Sequence, residues 1–102
     1  MATVTPKVLF RGAATTGVTT TLYTVPGSTS TVVTSIVVTN TAASAATFNL
    51  QLNGINIATL VAIAANSFVV IDLKQILTAG QILAGGASAT TVNFHVSGTE
   101  IA

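Results

Sequence analysis

Between residues 46 and 53 the chain alternates apolar and polar side chains without a break. Ala46, Phe48, Leu50 and Leu52 are interleaved with Thr47, Asn49, Gln51 and Asn53. A period of two marks a β-strand with one buried face, because successive side chains leave a pleated backbone on opposite sides. Asn53-Gly54 follows, and a two-residue type I′ hairpin turn needs positive φ at both central positions. The turn fixes a register: Leu52 opposite Ile55, Leu50 opposite Ile57 and Phe48 opposite Thr59. Apolar meets apolar twice, so pattern and turn agree.

The flanking segments extend the β reading. Val18 to Val25 is rich in β-branched residues, which suit a pleated surface. Pro26-Gly27 ends it, with proline presetting one turn position and glycine accepting positive φ at the next. Ser30 to Asn40 is the next strand, with Val32, Ile36 and Val38 on one face and Val33 and Val37 on the other. Thr41 to Ala45 reads as a loop and Ala62 to Ala65 as a linker. Ser67 to Leu73 reads as a buried strand with Asp72 near its polar end. Lys74 to Ala79 fits one helical turn closed by Gly80. Gln81 to Ala84 reads as a short strand ending in a Gly85-Gly86 turn. Thr91 to Gly98 is the last strand, with Val92, Phe94 and Val96 on its apolar face. Residues 1–17 read differently: a short strand at Val8 to Phe10, a loop from Gly12 to Gly17, and extended geometry forced before Pro6. The expected organisation is an extended N-terminal arm over 1–17 and a β-sandwich domain over 18–102. The expected fold is an all-β antiparallel β-sandwich, Greek-key or jelly-roll-like, of seven to eight short strands.

Charge is what sets this chain apart. Among 102 residues only Lys7, Arg11, Asp72, Lys74 and Glu100 are charged. A folded chain of this size exposes roughly 5,300 Å², or one charge per roughly 1,000 Å². That spacing is the size of a whole specific interface, so a component of an assembly is expected. Three scattered basic residues do not make the clustered stripe that phosphate neutralisation needs, so no nucleic-acid partner is expected. No apolar run approaches the ~20 residues of a spanning helix, and the strands lack the aromatic girdles of a membrane barrel. Residues 1–17 hold no apolar segment of the signal-peptide kind, which points to an intracellular product.

The search for chemistry is short. The chain has no cysteine and one histidine, His95. His95 shares the polar side of the last strand with Asn93 and Ser97, where a hydrogen-bonding surface role is expected over a general base. A metal site would need more ligands than Asp72 and Glu100 supply. Asp72 and Glu100 as paired carboxylates, or Ser67, His95 and Asp72 as a triad, are the catalytic alternatives. No nucleophile elbow supports the triad. Gly85-Gly86 lacks the residues of a phosphate loop. Neither an enzyme nor a cofactor is expected.

Several stretches carry a family resemblance: Leu22-Tyr23-Thr24-Val25-Pro26, the run Thr34 to Thr41, and Phe48 to Gly54. Ala65-Asn66-Ser67, Leu77 to Ile82 and Val96 to Ile101 follow in order. Over about residues 18–101 the chain resembles small β-sandwich virion proteins of tailed bacteriophages, among them capsid decoration (cement) proteins and related tail or head-fibre components. Where that family usually carries an acidic residue after the Ala-Gly turn, this chain has Gln81. The resemblance implies a cement protein on the capsid exterior, made in the host cytoplasm. Its expected partners are the major capsid protein and sister copies in a homo-oligomer, with a homotrimer as the favoured form. A tail, neck or fibre component with a receptor- or glycan-binding role is the alternative. Lys7, Phe10 and Arg11 of the arm are the candidate contact with the capsid or a neighbouring subunit. Deleting residues 1–12 is then expected to abolish shell binding and leave the fold intact.

Overall fold

The computed structural model describes residues 3–17 and 19–102, and within them eight β-strands form. These are β1 (Val4–Ala13), β2 (Thr21–Thr24), β3 (Ser30–Asn40), β4 (Ala46–Leu52), β5 (Ile55–Ile63), β6 (Ser67–Leu77), β7 (Ile82–Ala87) and β8 (Val92–Ile101). They make two four-stranded antiparallel sheets, β1-β8-β3-β6 and β2-β7-β4-β5. Every connection crosses from one sheet to the other except the β4–β5 hairpin. This is the jelly-roll form of the expected sandwich. Among the described residues no helix is long and apolar enough to cross a membrane.

The core is the meeting of two inner faces. β3 contributes Val33, Ile36 and Val38, and β8 contributes Val92, Phe94 and Val96; all are fully buried. Phe48 and Leu50 of β4 and Leu83 of β7 face them, equally buried. The Phe48 and Phe94 rings meet edge to face, with centroids 6.2 Å apart and planes at 74°. Their contact joins the sheets near the middle of both.

Irregularities in the ladders decide which side chains reach this core. Along β3 the sequence pairs Val32 with Ile36 and Val38, but Val33 is the buried one. The β3 ladders to both neighbours shift between Val33 and Ser35. The extra residue against β8, Thr34, is exposed, and it re-phases the strand so that Val33 and Ile36 share one face. In the β4–β5 hairpin, Asn53 (φ 49°) and Gly54 (φ 84°) adopt the expected turn. Leu52 pairs with Ile55 as expected. Beyond it Leu50 lies opposite Ala58 and Phe48 opposite Val61, because β5 shifts register twice. Leu60 takes a positive φ of 48° at the second shift, where its N–H donates to Asn49 Oδ1 at 3.3 Å.

Three further segments differ from the sequence reading. Residues 74–77 continue β6 and do not form a helical turn; the reversal comes at residues 79–80. Gly85 and Gly86 run through the middle of β7 and are not a turn. At Gly85 the missing side chain makes room for Leu50: a Cβ there would lie 2.6 Å from Asn49 O and 2.9 Å from Leu50 Cδ2. The other edge of β7 is held by the β1–β2 connection, where Gly85 N–H donates to Thr20 O and Ala87 N–H to Thr15 O, each at 2.9 Å. Val18, the expected first residue of the second strand, lies outside the described residues. The expected arm contains β1, which pairs with β8 from Val4 to Ala13 and ends the sheet. Leu9 is buried and Phe10 packs on the core, so removing residues 1–12 would take an edge strand and two core side chains away. Glu100 lies within β8. At the corner where β1 begins and β8 ends, Thr3 and Ala102 exchange both backbone hydrogen bonds, at 2.6 and 2.9 Å.

At Gly98, opposite the β3 irregularity, a Cβ would overlap the Val32 carbonyl oxygen and sit 2.9 Å from Leu9 Cδ1. Gly98→Ala should cost about 1–3 kcal/mol through overpacking. Gly27→Ala, with nothing within 4 Å of the added carbon, should change stability little. Urea melts of the two variants beside the parent chain check the contrast.

Candidate interaction surface

The three contact residues expected from sequence do not share a face. Lys7 and Leu9 lie on the inward side of β1, and the register shift between Val8 and Phe10 turns Phe10 inward as well. Arg11 points outward. Its cross-strand neighbours form a row over the outer surface of the sheet: Arg11 of β1, His95 of β8, Val37 of β3 and Val70 of β6. A parallel row holds Ala13, Asn93, Thr39 and Phe68.

Apolar exposure is concentrated on one side of the sandwich. β5 and β6 are the edge strands of the two sheets there. β5 exposes Ile55, Ile57 and Leu60, and β6 exposes Phe68, Val70 and Ile76; the opposite edge, β1, exposes Val4 and Val8. Phe68 is 66% exposed and Ile76 67%, which corrects the expectation of a buried strand from Ser67. The signal was present in the sequence. Phe68 and Val70 alternate with Val69 and Ile71, so β6 is apolar on both faces, and the chain covers only the inner one. Of the charged residues, Asp72 and Lys74 stand on this same exposed face of β6.

A polar cluster closes the end of the sandwich where β2, β3 and β8 meet. The Tyr23 hydroxyl donates to Glu100 Oε2 at 2.5 Å and lies 2.9 Å from Thr31 Oγ1. Its one proton goes to the carboxylate, so the Thr31 hydroxyl donates to it. Lys7 Nζ reaches the same carboxylate at 3.3 Å, half in solvent, where an ion pair adds little. The hydrogen bond from Tyr23 holds the Glu100 carboxyl below its ordinary pKa. Burial, then the bond to Glu100, pushes the Tyr23 phenol up. Sequence reading missed this cluster, whose members are 77 and 93 residues apart. The cluster pins β2 of one sheet to β8 of the other.

The alternative catalytic sets are not assembled. On β6, Ser67 follows the inward phase and Asp72 the outward one, so the two lie on opposite sides of the sheet. Glu100 is engaged with Tyr23 and Lys7, while Asp72 sits on the far edge strand. Ser67 Oγ donates to Ala65 O at 3.0 Å. Among the described residues no group of three metal-ligating side chains gathers, and no pocket opens.

No protein-family model and no curated protein sequence matches the chain. Among solved structures, a chain of the T13 IBDV viral particle matches with a TM-score of 0.57 and 11% sequence identity. The match covers 98% of this chain and 30% of that one. At this identity the likeness is one of fold, and it takes in the whole eight-stranded unit.

The Glu100 cluster sets an acid limit on stability. Its folded pKa lies below the ordinary value of 4.5, so its contribution is complete above that value and is lost as pH falls through the lowered one. Melting temperatures scanned downward from neutral pH should fall in that window. Tyr23→Phe should flatten the dependence and cost about 1–3 kcal/mol, because it leaves the buried Thr31 hydroxyl without a partner.

Proposed function

We propose that this chain is a virion structural protein of a tailed bacteriophage, acting as a decoration protein that binds and stabilises the assembled capsid shell. The observation that carries the reading is a surface suited to being covered. Its 5236 Å² hold five charged side chains, and apolar side chains stand exposed on β1, β5 and β6. A jelly roll is a compact module whose core is filled by its own two sheets, which suits a part repeated over a shell. The fold likeness to a viral-particle chain supports the coarser reading of a viral structural protein, and the phage assignment rests on the resemblance of the turn and strand motifs to small phage virion proteins. In this role the chain performs no catalysis and carries no cofactor.

The mechanism is mass action. A protein that binds the assembled lattice and not its dissociated subunits stabilises the lattice by an amount that grows with free concentration over Kd. The outer face of the β1-β8-β3-β6 sheet is the proposed contact. Arg11 and His95 supply polar anchors, and Val37 and Val70 the apolar area between them and the β6 edge.

The test is co-sedimentation of the purified chain with shells of the encoding phage that lack it. Saturable binding at a copy number that follows the number of capsomers, with a raised shell melting temperature, is the expected result. A copy number matching the tail or neck would move the chain to the alternative role of tail, neck or fibre component. Absence of binding to any particle would overturn both. Arg11→Glu should weaken shell binding by roughly an order of magnitude without changing the melting temperature of the free chain.

A further inference from the structure

The two sheets have four edge strands, and three of them are blunted against pairing. β1 carries Pro6, Lys7 and a register shift at Leu9. β2 is four residues long, and β5 is broken by two register shifts. Each is a recognised defence of an open edge. β6 carries one lysine and one register shift, between Asp72 and Gln75 in its ladder to β3, and is the least protected of the four. It runs for 11 residues without proline or glycine, and exposure alternates from Ser67 to Lys74, beyond which Gln75 and Ile76 are both exposed. Its outward row is Phe68, Val70, Asp72, Lys74 and Ile76. Asp72 and Lys74 are exposed, and among the described residues the ion pair formed is Lys7–Glu100. The two charges of β6 therefore have no partner within the described chain.

We propose that β6 pairs antiparallel with β6 of a second copy about a two-fold axis at Leu73, joining two four-stranded sheets into one of eight. The charges select this register. The pleat requires outward residues to face outward residues, so a symmetric axis must pass through a residue position. An axis at Asp72 sets carboxylate against carboxylate, and one at Lys74 sets ammonium against ammonium. An axis at Ile71 places Asp72 opposite Val70 and Lys74 opposite Phe68. An axis at Leu73 places Asp72 opposite Lys74 of the second copy, and the symmetry repeats the pair. It also places Val70 opposite Ile76 twice, covering two of the exposed apolar side chains. On the inner side Leu73 meets its own copy and Val69 meets Leu77. Opposite charges and apolar pairs directly across a ladder each stabilise it. A two-fold contact of this kind is closed, because it uses the same edge of both copies and leaves none for a third.

This contact stands apart from shell binding, since it forms without any particle. It yields a dimer, in contrast to the trimer that the family resemblance implies. Sedimentation velocity of the full chain over a range of concentrations is the test. The parent chain should run as a dimer. Asp72→Lys sets lysine against lysine, and Lys74→Asp sets aspartate against aspartate, so each variant alone should dissociate at least tenfold more readily. The two variants mixed should recover the dimer as a hetero-pair, and the double variant Asp72→Lys/Lys74→Asp should recover it alone. Both side chains are exposed, so the swaps leave the fold intact, which far-UV circular dichroism checks. A parent chain that stays monomeric at every concentration overturns the proposal and leaves the edge to a strand of another protein. A trimer, dimers indifferent to the single swaps, or no recovery on mixing overturns it as well.

Discussion

Two apolar sheet faces that cannot be left in water govern everything else in this molecule. Phe48 on one sheet and Phe94 on the other meet at the centre, with Ile36, Leu50, Leu83 and Val96 buried around them. Close packing of this kind leaves no slack for a misplaced methylene. The irregular features of the backbone answer to that demand. The re-phasing at Thr34 brings Val33 into line with Ile36, and the absent side chains of Gly85 and Gly98 admit Leu50 and the Val32 carbonyl. Each is a local departure from a regular strand that keeps the interior filled.

The central strand β3 has a buried polar residue near each end. Thr31 joins the Tyr23 and Glu100 cluster. At the far end Asn40 is buried and uses both ends of its amide. It donates to Ser44 O and Ala64 O and accepts from the Ala42 N–H and the Thr91 hydroxyl. Three loops are thereby tied to one side chain, at distances of 2.8 to 3.3 Å. Buried polar groups with full sets of partners specify a geometry that apolar contacts alone leave loose. A chain with little surface charge thus fixes its two ends through uncharged hydrogen bonds, with a single carboxylate among them.

Much of the architecture was legible in the sequence, wherever burial was one-sided and local. The 46–52 alternation, the Asn53-Gly54 turn and the apolar face of Val92, Phe94 and Val96 all carry over into the structure. What was illegible depends on partners distant in sequence. Bulges in β3 and β5 arise from how neighbouring strands pack, and no local pattern encodes them. Gly85-Gly86 reads as a turn until Leu50 is known to lie across it. Residues 74–79 have helical propensity that pairing with β3 overrides. Of the expected contact residues, Arg11 reaches the outer face, while Phe10 serves the core and Lys7 serves Glu100. The exposed face of β6 was readable only in hindsight, as a strand apolar on both sides with cover for one.

The paired ends of β1 and β8 make the chain almost a ring. Thr3 and Ala102 are held together by two backbone hydrogen bonds, so a linker of a few residues suffices to close the loop. Sequence order then becomes nearly arbitrary for this architecture. The same sandwich tolerates new termini cut at an exposed turn such as Asn53-Gly54, a circular permutation that keeps every strand neighbour. Any segment joined before Thr3 or after Ala102 leaves from that one corner, away from the β5 and β6 side and its exposed apolar rows.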